Sequence, residues 1–269
     1  MEHHLHAPPA GFGAGLSWIT GPSDPDGSGI ALGVLRLAGA GEWTQAMPAE
    51  TAFLLMSGEL RARVGSVELH LCRGSLFDDL PSVVHAPAGA TVSLECAGAA
   101  ELTVYRTGNE RHFPAAIVGP SAVRSEARGR GQVRDGALRI VRTILDNGST
   151  DPAAHLVLGE VVTLPGRWSS YPPHHHPQPE IYHYRFDDPR GYGHAELGET
   201  VLKVRHGDTV KIAGGLDHAQ CAAPGYAMYY SWVIRHLPDG RYVEPETSEE
   251  HAWVMEPGSS CWWPEGVLR

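Results

Sequence analysis

The sequence predicts an all-β protein that is built from two tandem β-barrels. Three observations lead to this fold class: many short runs of strand-forming residues, 32 Gly and 21 Pro among 269 residues, and a similar layout of strands and turns in both halves. Evenly scattered glycine and proline end elements early, which is typical of sandwiches and barrels and disfavours long helices. A layout that occurs twice along the chain indicates two barrels in succession.

The first barrel is predicted between residues 33 and 106. The dipeptides Ser57-Gly58, Arg73-Gly74 and Ala88-Gly89 provide turns between its strands. The predicted strands are Gly33–Leu37, Thr51–Met56, Glu59–Val64, Val67–Leu71, Val83–Ala86, Thr91–Cys96 and Glu101–Tyr105.

The second barrel follows a connector, rich in Pro, Gly and Arg, that runs from about Gly108 to Gly136. We therefore predict two domains, 1–136 for the first barrel with the connector and 137–269 for the second barrel with its tail. The tail from Pro238 onward is expected to pack across the barrels. The predicted strands of the second barrel are Arg139–Leu145, His155–Thr163, Glu180–Phe186, His194–Leu197, Thr200–Val204, Thr209–Ile212 and Ala227–Ile234.

The bulk composition excludes several classes of partner. The formal net charge is −10, so nucleic acids and anionic membranes are disfavoured because their phosphates would be repelled. No apolar segment approaches the roughly 20 residues needed to cross a bilayer. Cys72, Cys96, Cys221 and Cys261 form no CxxC pair, and no signal peptide is evident at the N-terminus. We therefore expect reduced thiols and a cytoplasmic protein.

The strongest functional signal is the segment 169–180, SSYPPHHHPQPE. Side chains at positions i and i+2 of an extended segment share a face, so His174 and His176 project together while His175 points away. The two prolines that follow favour a turn, and this turn returns Glu180 to the two imidazoles at the start of the next strand.

His218 is the fourth candidate ligand, because the segment 207–218 reads as a strand followed by a glycine turn. Three neutral imidazoles and one carboxylate suit Zn, Mn, Fe, Co or Ni, and leave coordination positions for substrate oxygens. The sequence thus predicts one divalent metal ion per chain. The alternative is a surface His-Pro loop without a ligand role. His3, His4 and His6 at the N-terminus are given no metal role.

The spacing of these residues resembles the two motifs of the cupins. His-x-His with a following Glu matches the first motif. The second motif, two glycines and a later His, is matched by Gly207, Gly215 and His218. The departures affect turns rather than ligands, since Ala213 replaces a favoured Pro and Asp187 replaces a frequent Gly.

Further segments resemble the 5-deoxy-glucuronate isomerase family of myo-inositol catabolism, whose architecture is shared by the uronate ketol-isomerases of pectin breakdown. This resemblance extends over nearly the whole chain and is most specific in the second half. The segments that carry it are Gly159–Val162, Trp168–His176, Pro224–Tyr226, Tyr229-Tyr230 and Glu250–Trp253, with the Arg128-Gly129 connector.

The resemblance implies a bicupin with a metal-binding C-terminal barrel and a metal-free N-terminal one. Residues 33–106 agree independently, since they contain no His-x-His and only His70 and His85. The family assigns its metal to the two motif histidines, the following Glu and the later His. In this sequence those residues are His174, His176, Glu180 and His218.

The implied activity is a metal-dependent aldose–ketose isomerisation of 5-deoxy-D-glucuronate to 5-dehydro-2-deoxy-D-gluconate. The partner is then a small sugar acid, the ion is Zn or Mn, and assembly into a homo-oligomer is left open. The segment between His176 and Glu180 is shorter than in many inositol-pathway members, so isomerisation of another uronate is an alternative. Further alternatives are a metal-dependent cupin dioxygenase and a non-catalytic sugar-acid-binding cupin. Dependence on oxygen would identify the dioxygenase, and a closed coordination sphere would identify the binding protein.

An isomerase of this kind needs a group that moves a proton, within hydrogen-bond reach of the substrate. Glu160 lies on the strand before the motif, Tyr182 and Tyr184 follow Glu180 on its own face, and Tyr230 lies on a late strand. The alternative for Glu160 is a structural carboxylate that pairs with an arginine. The alternative for the three tyrosines is that they are aromatic side chains that fill the barrel. The substrate carboxylate could be bound by Arg128, Arg134, Arg139 and Arg142. The alternative is that these arginines form solvated or inter-domain ion pairs.

Overall fold

The computed structural model describes residues 3–21 and 27–264, and nearly all of the regular structure in them is β-strand. The strands of the first half are β1 (His4–Leu5), β2 (Gly15–Thr20), β3 (Ile30–Leu37), β4 (Gly41–Ala46), β5 (Glu50–Val64), β6 (Val67–Arg73), β7 (Val83–Ala86), β8 (Thr91–Thr107) and β9 (Ala116–Val118). Those of the second half are β10 (Arg124–Arg128), β11 (Arg139–Leu145), β12 (Leu156–Thr163), β13 (Trp168–His175), β14 (Glu180–Phe186), β15 (Tyr192–Leu197), β16 (Thr200–Arg205), β17 (Thr209–Ile212), β18 (His218–Ala222), β19 (Met228–Arg235) and β20 (Glu246–Thr247). Short 3-10 helices occupy Pro120–Ala122, Val133–Asp135 and Glu249–Met255.

The described strands form three antiparallel sheets. The first half has an eight-stranded sheet in the order β2-β3-β8-β5-β7-β9, with β4 added on β8 and β6 on β5. The second half has a seven-stranded sheet, β1-β17-β14-β19-β12-β11-β10, and a five-stranded sheet, β16-β15-β18-β13-β20. Apolar side chains of the two second-half sheets pack into one common core. The all-β prediction is confirmed.

Two predicted turns of the first half lie instead inside long strands. Residues 50–64 and 91–107 each form one strand, so the breaks expected at Ser57-Gly58 and after Cys96 are wrong. The pairing of β5 with β8 shifts register at Leu55/Ser57 and again at Gly58/Leu60. Gly58 has φ 102°, and a Cβ there would lie 2.5 Å from the Ala99 carbonyl oxygen. This glycine therefore marks a bulge that bends the sheet, since a side chain would not fit.

A separate core lies between the two halves of the molecule. Alternate residues of a strand point to opposite faces, so β3, β5 and β12 bury one face in their own half and the other in this shared core. The result is continuous burial, as in β12 and β14, where every residue is buried. The shared core includes Leu32, Leu54, Tyr105, Leu158, Ile181 and Val233.

Two segments that precede residue 137 belong to the sheet of the second half. Strand β1 pairs with β17 through His4 opposite Val210, and β10 pairs with β11 along its whole length. The division at 136/137 therefore stays a prediction. Strands that precede residue 137 form hydrogen bonds with strands that follow it. At the other end, β20 pairs with β13, so the tail lies against the second half.

The described residues include no helix that is both long enough and apolar enough to cross a membrane. The four cysteines form no disulfide: Cys72 and Cys261 are exposed, Cys96 is buried and Cys221 is half-buried. This agrees with the reduced thiols expected from the sequence, while the cytoplasmic location stays a prediction.

Candidate metal centre

The predicted ligands meet at one end of the second half, between its two sheets. His174 lies near the end of β13, directly opposite His218, the first residue of β18. His176 follows β13, and a short proline loop leads to Glu180, the first residue of β14 in the other sheet. The i, i+2 spacing and the return turn thus bring the four side chains to the same end of the fold. His175 points away, and its Nδ1 lies 2.7 Å from Asp217 Oδ1.

Three of these side chains form a compact cluster. The nitrogen and oxygen ligand atoms of His176, Glu180 and His218 all lie within 4.8 Å of one another. Glu180 Oε2 is 3.3 Å from Nε2 of both imidazoles. His174 stands beside them, with its ring centroid 4.6 Å from that of His218. The three clustered side chains are at most 4% exposed, so the cluster is closed to bulk water on most sides.

The hydrogen bonds around the cluster fit a divalent metal ion. His218 Nδ1 donates to the Leu216 carbonyl oxygen at 3.0 Å, which leaves the Nε2 lone pair facing the cluster. Among the described residues, this buried Nε2 has no hydrogen-bond partner. His174 Nδ1 is likewise 3.3 Å from the Pro172 carbonyl oxygen. A backbone carbonyl on the second ring nitrogen is the usual support of a metal-binding histidine.

The protonation states also suit a cation. Burial, followed by the neighbouring His218, lowers the pKa of His174 to about 3, so its ring is neutral. Burial alone would raise the pKa of Glu180, but the neighbouring His176 and His218 outweigh it and lower the pKa to about 2. Imidazole nitrogens with one carboxylate are a donor set for borderline divalent ions such as Zn²⁺ or Mn²⁺.

A pocket of about 90 Å³, open to solvent on one side, adjoins this cluster. His174, His176 and Glu180 form part of its wall, and the remaining lining mixes polar and apolar side chains. Those other lining residues are Arg128, Arg139, Val141, Val161, Ser170, Tyr182, Trp232, Tyr242 and Pro245.

The structure places the three predicted tyrosines differently. Tyr182 lines the pocket, with its hydroxyl 3.3 Å from Ser170 Oγ. Tyr230 stacks on Tyr182 at 4.6 Å between ring centroids and lies 2.9 Å from the same Ser170 Oγ. Tyr184 donates to Gln220 Oε1 at 2.8 Å, deeper in the core. Burial raises the pKa of all three phenols, to about 12 for Tyr230, so they are hydrogen-bond donors at neutral pH.

Glu160 is not brought to the cluster. Its carboxylate accepts two hydrogen bonds from Arg73, at 2.6 and 2.8 Å, and one from the Tyr229 hydroxyl at 2.6 Å. Arg142 approaches the same carboxylate at 3.4 Å. The side chain lies on the face of β12 that points to the other half, whereas Val161 on the opposite face lines the pocket. The contacts agree with the alternative of a carboxylate that pairs with arginine.

The four candidate arginines divide into two groups. Arg128 and Arg139 line the pocket, and Arg139 forms no ion pair within residues 3–21 and 27–264. Arg142 donates to the carbonyl oxygens of residues 76 and 77, and Arg134 stacks over the Trp263 ring at 4.2 Å. Only the first group is placed to meet a substrate.

Sequence reasoning missed Tyr242, whose ring lies 5.0 Å from that of His176 and lines the pocket. It follows the last strand of the core, in a tail segment without strand periodicity. No local pattern marks it, because its position depends on how the tail folds back over the second half.

His4, His6 and Asp208 form a second group of side chains with metal-ligand atoms. The Asp208 carboxylate is 2.8 Å from His4 Nε2, and it accepts hydrogen bonds from the backbone N–H groups of Ala7 and Arg205 at 3.0 Å each. These contacts attach the N-terminal segment to the second-half sheet. That the N-terminal histidines have no metal role stays a prediction.

Comparison with protein families gives a match over most of the chain. The family model described as KduI/IolB matches residues 10–254. The 5-deoxy-glucuronate isomerase of Geobacillus thermodenitrificans is 30% identical over 210 residues, which are 68% of this chain and 70% of that protein. The 5-deoxy-glucuronate isomerase of Bacillus licheniformis is 25% identical over 280 residues, covering 95% of this chain and all of the relative.

Solved structures show the same fold. An IolB-like protein from Salmonella typhimurium superimposes with a TM-score of 0.83 at 21% identity, covering 94% of this chain and 99% of that one. An oxalate decarboxylase variant from Bacillus subtilis gives a TM-score of 0.63 at 12% identity, over 95% and 81% of the two chains. These likenesses, with the all-β sheets, confirm the predicted bicupin fold class.

Proposed function

This chain belongs to the KduI/IolB family, and we propose that it is a metal-dependent aldose–ketose isomerase that acts on 5-deoxy-D-glucuronate. The family resemblance predicted from the motifs is confirmed, and the chain is an enzyme of the isomerase class, as its named relatives are. The finer points, namely the product 5-dehydro-2-deoxy-D-gluconate and the dependence on a metal, are our proposal.

One observation carries the proposal: buried His176, Glu180 and His218 converge beside His174 at a pocket that also contains Arg139. A divalent ion held by these four side chains would act as a Lewis acid towards the oxygens of a bound sugar. Residues 33–106 contain no group of side chains with clustered metal-ligand atoms, which supports a single ion per chain. We propose Zn or Mn, with Fe, Co or Ni as alternatives.

The residues around the cluster would orient the substrate. Arg139, which has no acidic partner in the described part of the chain, supplies a positive charge for the sugar-acid carboxylate, and Arg128 lies at the same wall. Charge-assisted hydrogen bonds from guanidinium groups fix carboxylates in both position and direction. Trp232 and Tyr242 also line the pocket and would present their ring faces to a bound sugar.

Isomerisation moves one proton between adjacent carbons and another between their oxygens. The Tyr182 hydroxyl keeps its proton at neutral pH, because burial raises its pKa well above the ordinary value. We assign it the role of hydrogen-bond donor to a substrate oxygen. Ser170 Oγ lies within 3.3 Å of Tyr182 and 2.9 Å of Tyr230, so three hydroxyls form a chain through which a proton can be exchanged. Glu160 and Tyr184 take no part in this scheme.

The test is incubation of metal-replete protein with 5-deoxy-D-glucuronate under nitrogen, followed by NMR of the aldehyde hydrogen. We expect the signal to disappear as the ketose forms, and a chelator to stop the reaction. D-glucuronate in a parallel tube tests the alternative uronate. Turnover that needs oxygen would contradict the isomerase in favour of a dioxygenase, and stoichiometric binding without turnover would favour a binding protein. The homo-oligomer and the cytoplasmic location stay predictions.

A further inference from the structure

A second cleft, of about 540 Å³, lies where the two halves meet, and it shares no lining residue with the metal pocket. The segment after β8 contributes Asn109 and Arg111 to it. His155 comes from just before β12, and His236 and Arg241 follow β19. These segments are far apart in the sequence, so the cleft exists only in the folded chain.

His236 presents an unused donor to this cleft. Its side chain is 2% exposed, and its Nδ1 accepts the backbone N–H of Tyr242 at 2.9 Å. The neutral ring therefore carries its hydrogen on Nε2, which is buried and has no hydrogen-bond partner among the described residues. A buried donor without an acceptor is costly, so this N–H is available to an acceptor that a ligand supplies.

Arg241 presents a second unused donor. Its Nε donates to Asn147 Oδ1 at 2.6 Å, and its Nη1 donates to the Pro152 carbonyl oxygen at 2.8 Å. These contacts hold the guanidinium plane in one orientation. Its Nη2 is buried and lacks a partner within the described residues. The arginine is thus held by neutral groups, and its charge is not balanced by a carboxylate.

The cleft as a whole carries excess positive charge. Arg111 lines it and forms no ion pair in the part of the chain that the structure describes. The buried acid nearby, Glu50, is already engaged by His85 at 2.9 Å, by the Asn109 amide at 2.6 Å and by backbone N–H groups. Burial and repulsion by Arg111 lower the pKa of Arg241. Glu110 and Arg111 are both exposed, and the lining therefore holds two arginines and one carboxylate.

We propose that this inter-half cleft is a binding site for a small phosphate-bearing metabolite, held by Arg111, Arg241 and His236. A tetrahedral phosphate dianion has several acceptor oxygens that point in different directions, and it can meet donors from three separate side chains. A carboxylate has two oxygens in one plane and would leave part of this set unmatched. The cleft also has room for a sugar-sized group beyond the phosphate. The inference does not depend on the proposed isomerase activity.

The experiment is isothermal titration of the metal-replete, full-length protein with inorganic phosphate, with glucose 6-phosphate and with glucose. We expect one phosphate-bearing ligand per chain with a dissociation constant at or below about 1 mM, and no binding of glucose. If inorganic phosphate binds with the same affinity as the sugar phosphate, the phosphate group alone accounts for recognition, and this outcome supports the proposal. Absence of binding by both phosphates would overturn it.

Variants separate this site from general charge effects and from the metal pocket. Arg111→Met and His236→Asn, which keeps an acceptor for the Tyr242 N–H, should each weaken binding about 10-fold or more. Arg63→Met, which removes the same charge from an exposed position on β5, should leave binding unchanged. His176→Ala should also retain phosphate binding. Equal weakening by Arg63→Met, or loss of phosphate binding in His176→Ala, would reject the cleft as the site.

Discussion

The two halves of the molecule have related β-architectures and very different interiors. The hydrophobic cluster of the first half contains no tyrosine, and its members include Leu35, Phe53, Leu55, Leu71, Val92 and Leu102. The core of the second half includes Tyr182, Tyr184 and Tyr230, whose hydroxyls all find partners. At one end this polar interior opens into the pocket beside the histidine cluster. The architecture thus provides a scaffold, and the identity of the inward-facing residues decides whether a site forms.

Buried histidines and acids occur in both halves, and their hydrogen bonding differs. Glu50 and His85 pair at 2.9 Å in the first half, and Asn109 and two backbone N–H groups complete the acceptor capacity of Glu50. In the second half, His218 Nε2 has no hydrogen-bond partner among the described residues. A saturated pair stabilises the fold, whereas an unsaturated group directed at its neighbours is available to a ligand.

The largest effect is expected from His176→Ala. Loss of one ligand should remove the metal and lower the isomerase rate on the order of 1,000-fold or more, with the fold retained. Metal content by mass spectrometry and the NMR assay give the readout. The matched control is His175→Ala, since His175 points away and pairs with Asp217. Stoichiometric metal in His176→Ala, or equal metal loss in the control, would reject the assignment.

Glu160→Gln should destabilise the contact between the two halves. It leaves Arg73 and Arg142 buried without their carboxylate, and breaking a buried pair in this way costs about 4 kcal/mol. Urea unfolding measures the loss, and metal content should be unchanged. Glu68→Gln, which removes the exposed ion pair with Arg61, is the control and should cost under about 0.5 kcal/mol. A stable variant with a large loss of kcat would restore Glu160 as the catalytic base.

Leu55→Ala tests whether a packing defect in the first half changes metal binding in the second half. Leu55 is fully buried in the core of the first half, and a cavity of this kind costs about 3 kcal/mol. We expect a lower unfolding midpoint together with an unchanged metal-to-protein ratio. A parallel fall in metal content would show that the two interiors are coupled, contrary to the comparison drawn above.

The smallest effect concerns pH. Burial, with repulsion by Arg241 and His155, lowers the pKa of His236 from 6.5 to about 4. The unfolded chain therefore takes up a proton between pH 6.5 and 4 that the native protein excludes, so stability falls as the pH falls through this window and levels off below it. Because His236 lies in the wall of the open cleft, water screens part of this effect, which amounts to about 1 to 2 kcal/mol.

Unfolding midpoints of the wild type and His236→Asn at pH 7, 5.5 and 4.5 would measure this contribution. The variant lacks the titrating group, so its stability should depend less steeply on pH. Identical pH dependence in the two proteins would show that His236 does not contribute.

Much of the fold could be predicted where strand propensity and turn chemistry agree. The strands at 83–86, 139–145, 180–186 and 209–212 were predicted end to end. Strand β13 was missed as a strand because its sequence contains Pro172 and Pro173, which disfavour ladder pairing. The structure accommodates both within a break in the pairing between Ser169 and His174. Strands β2, β4 and β18 were also missed, because few local signals bound them.

The approach of His174, His176 and Glu180 followed from spacing, since two-residue periodicity and a proline turn act over a dozen residues, and His218 followed from the glycine turn in the segment 207–218. Glu160 could not be placed in the same way. Its partner Arg73 lies 87 positions away in the sequence, and periodicity shows that Glu160 and Val161 face opposite sides without showing which side is the pocket. The inter-half cleft and Tyr242 depend on contacts of the same long range, which no local pattern reports.

The pairing of β1 with β17 has a consequence for the order in which the protein folds during synthesis. His4 leaves the ribosome first, yet its partner Val210 follows about 200 residues later. Strands β2 to β9 pair only with one another, so the hydrogen bonds of the first-half sheet can form while the second half is still being translated. Strand β1 must wait with its backbone groups bonded to water, and its late docking closes the chain into the finished enzyme.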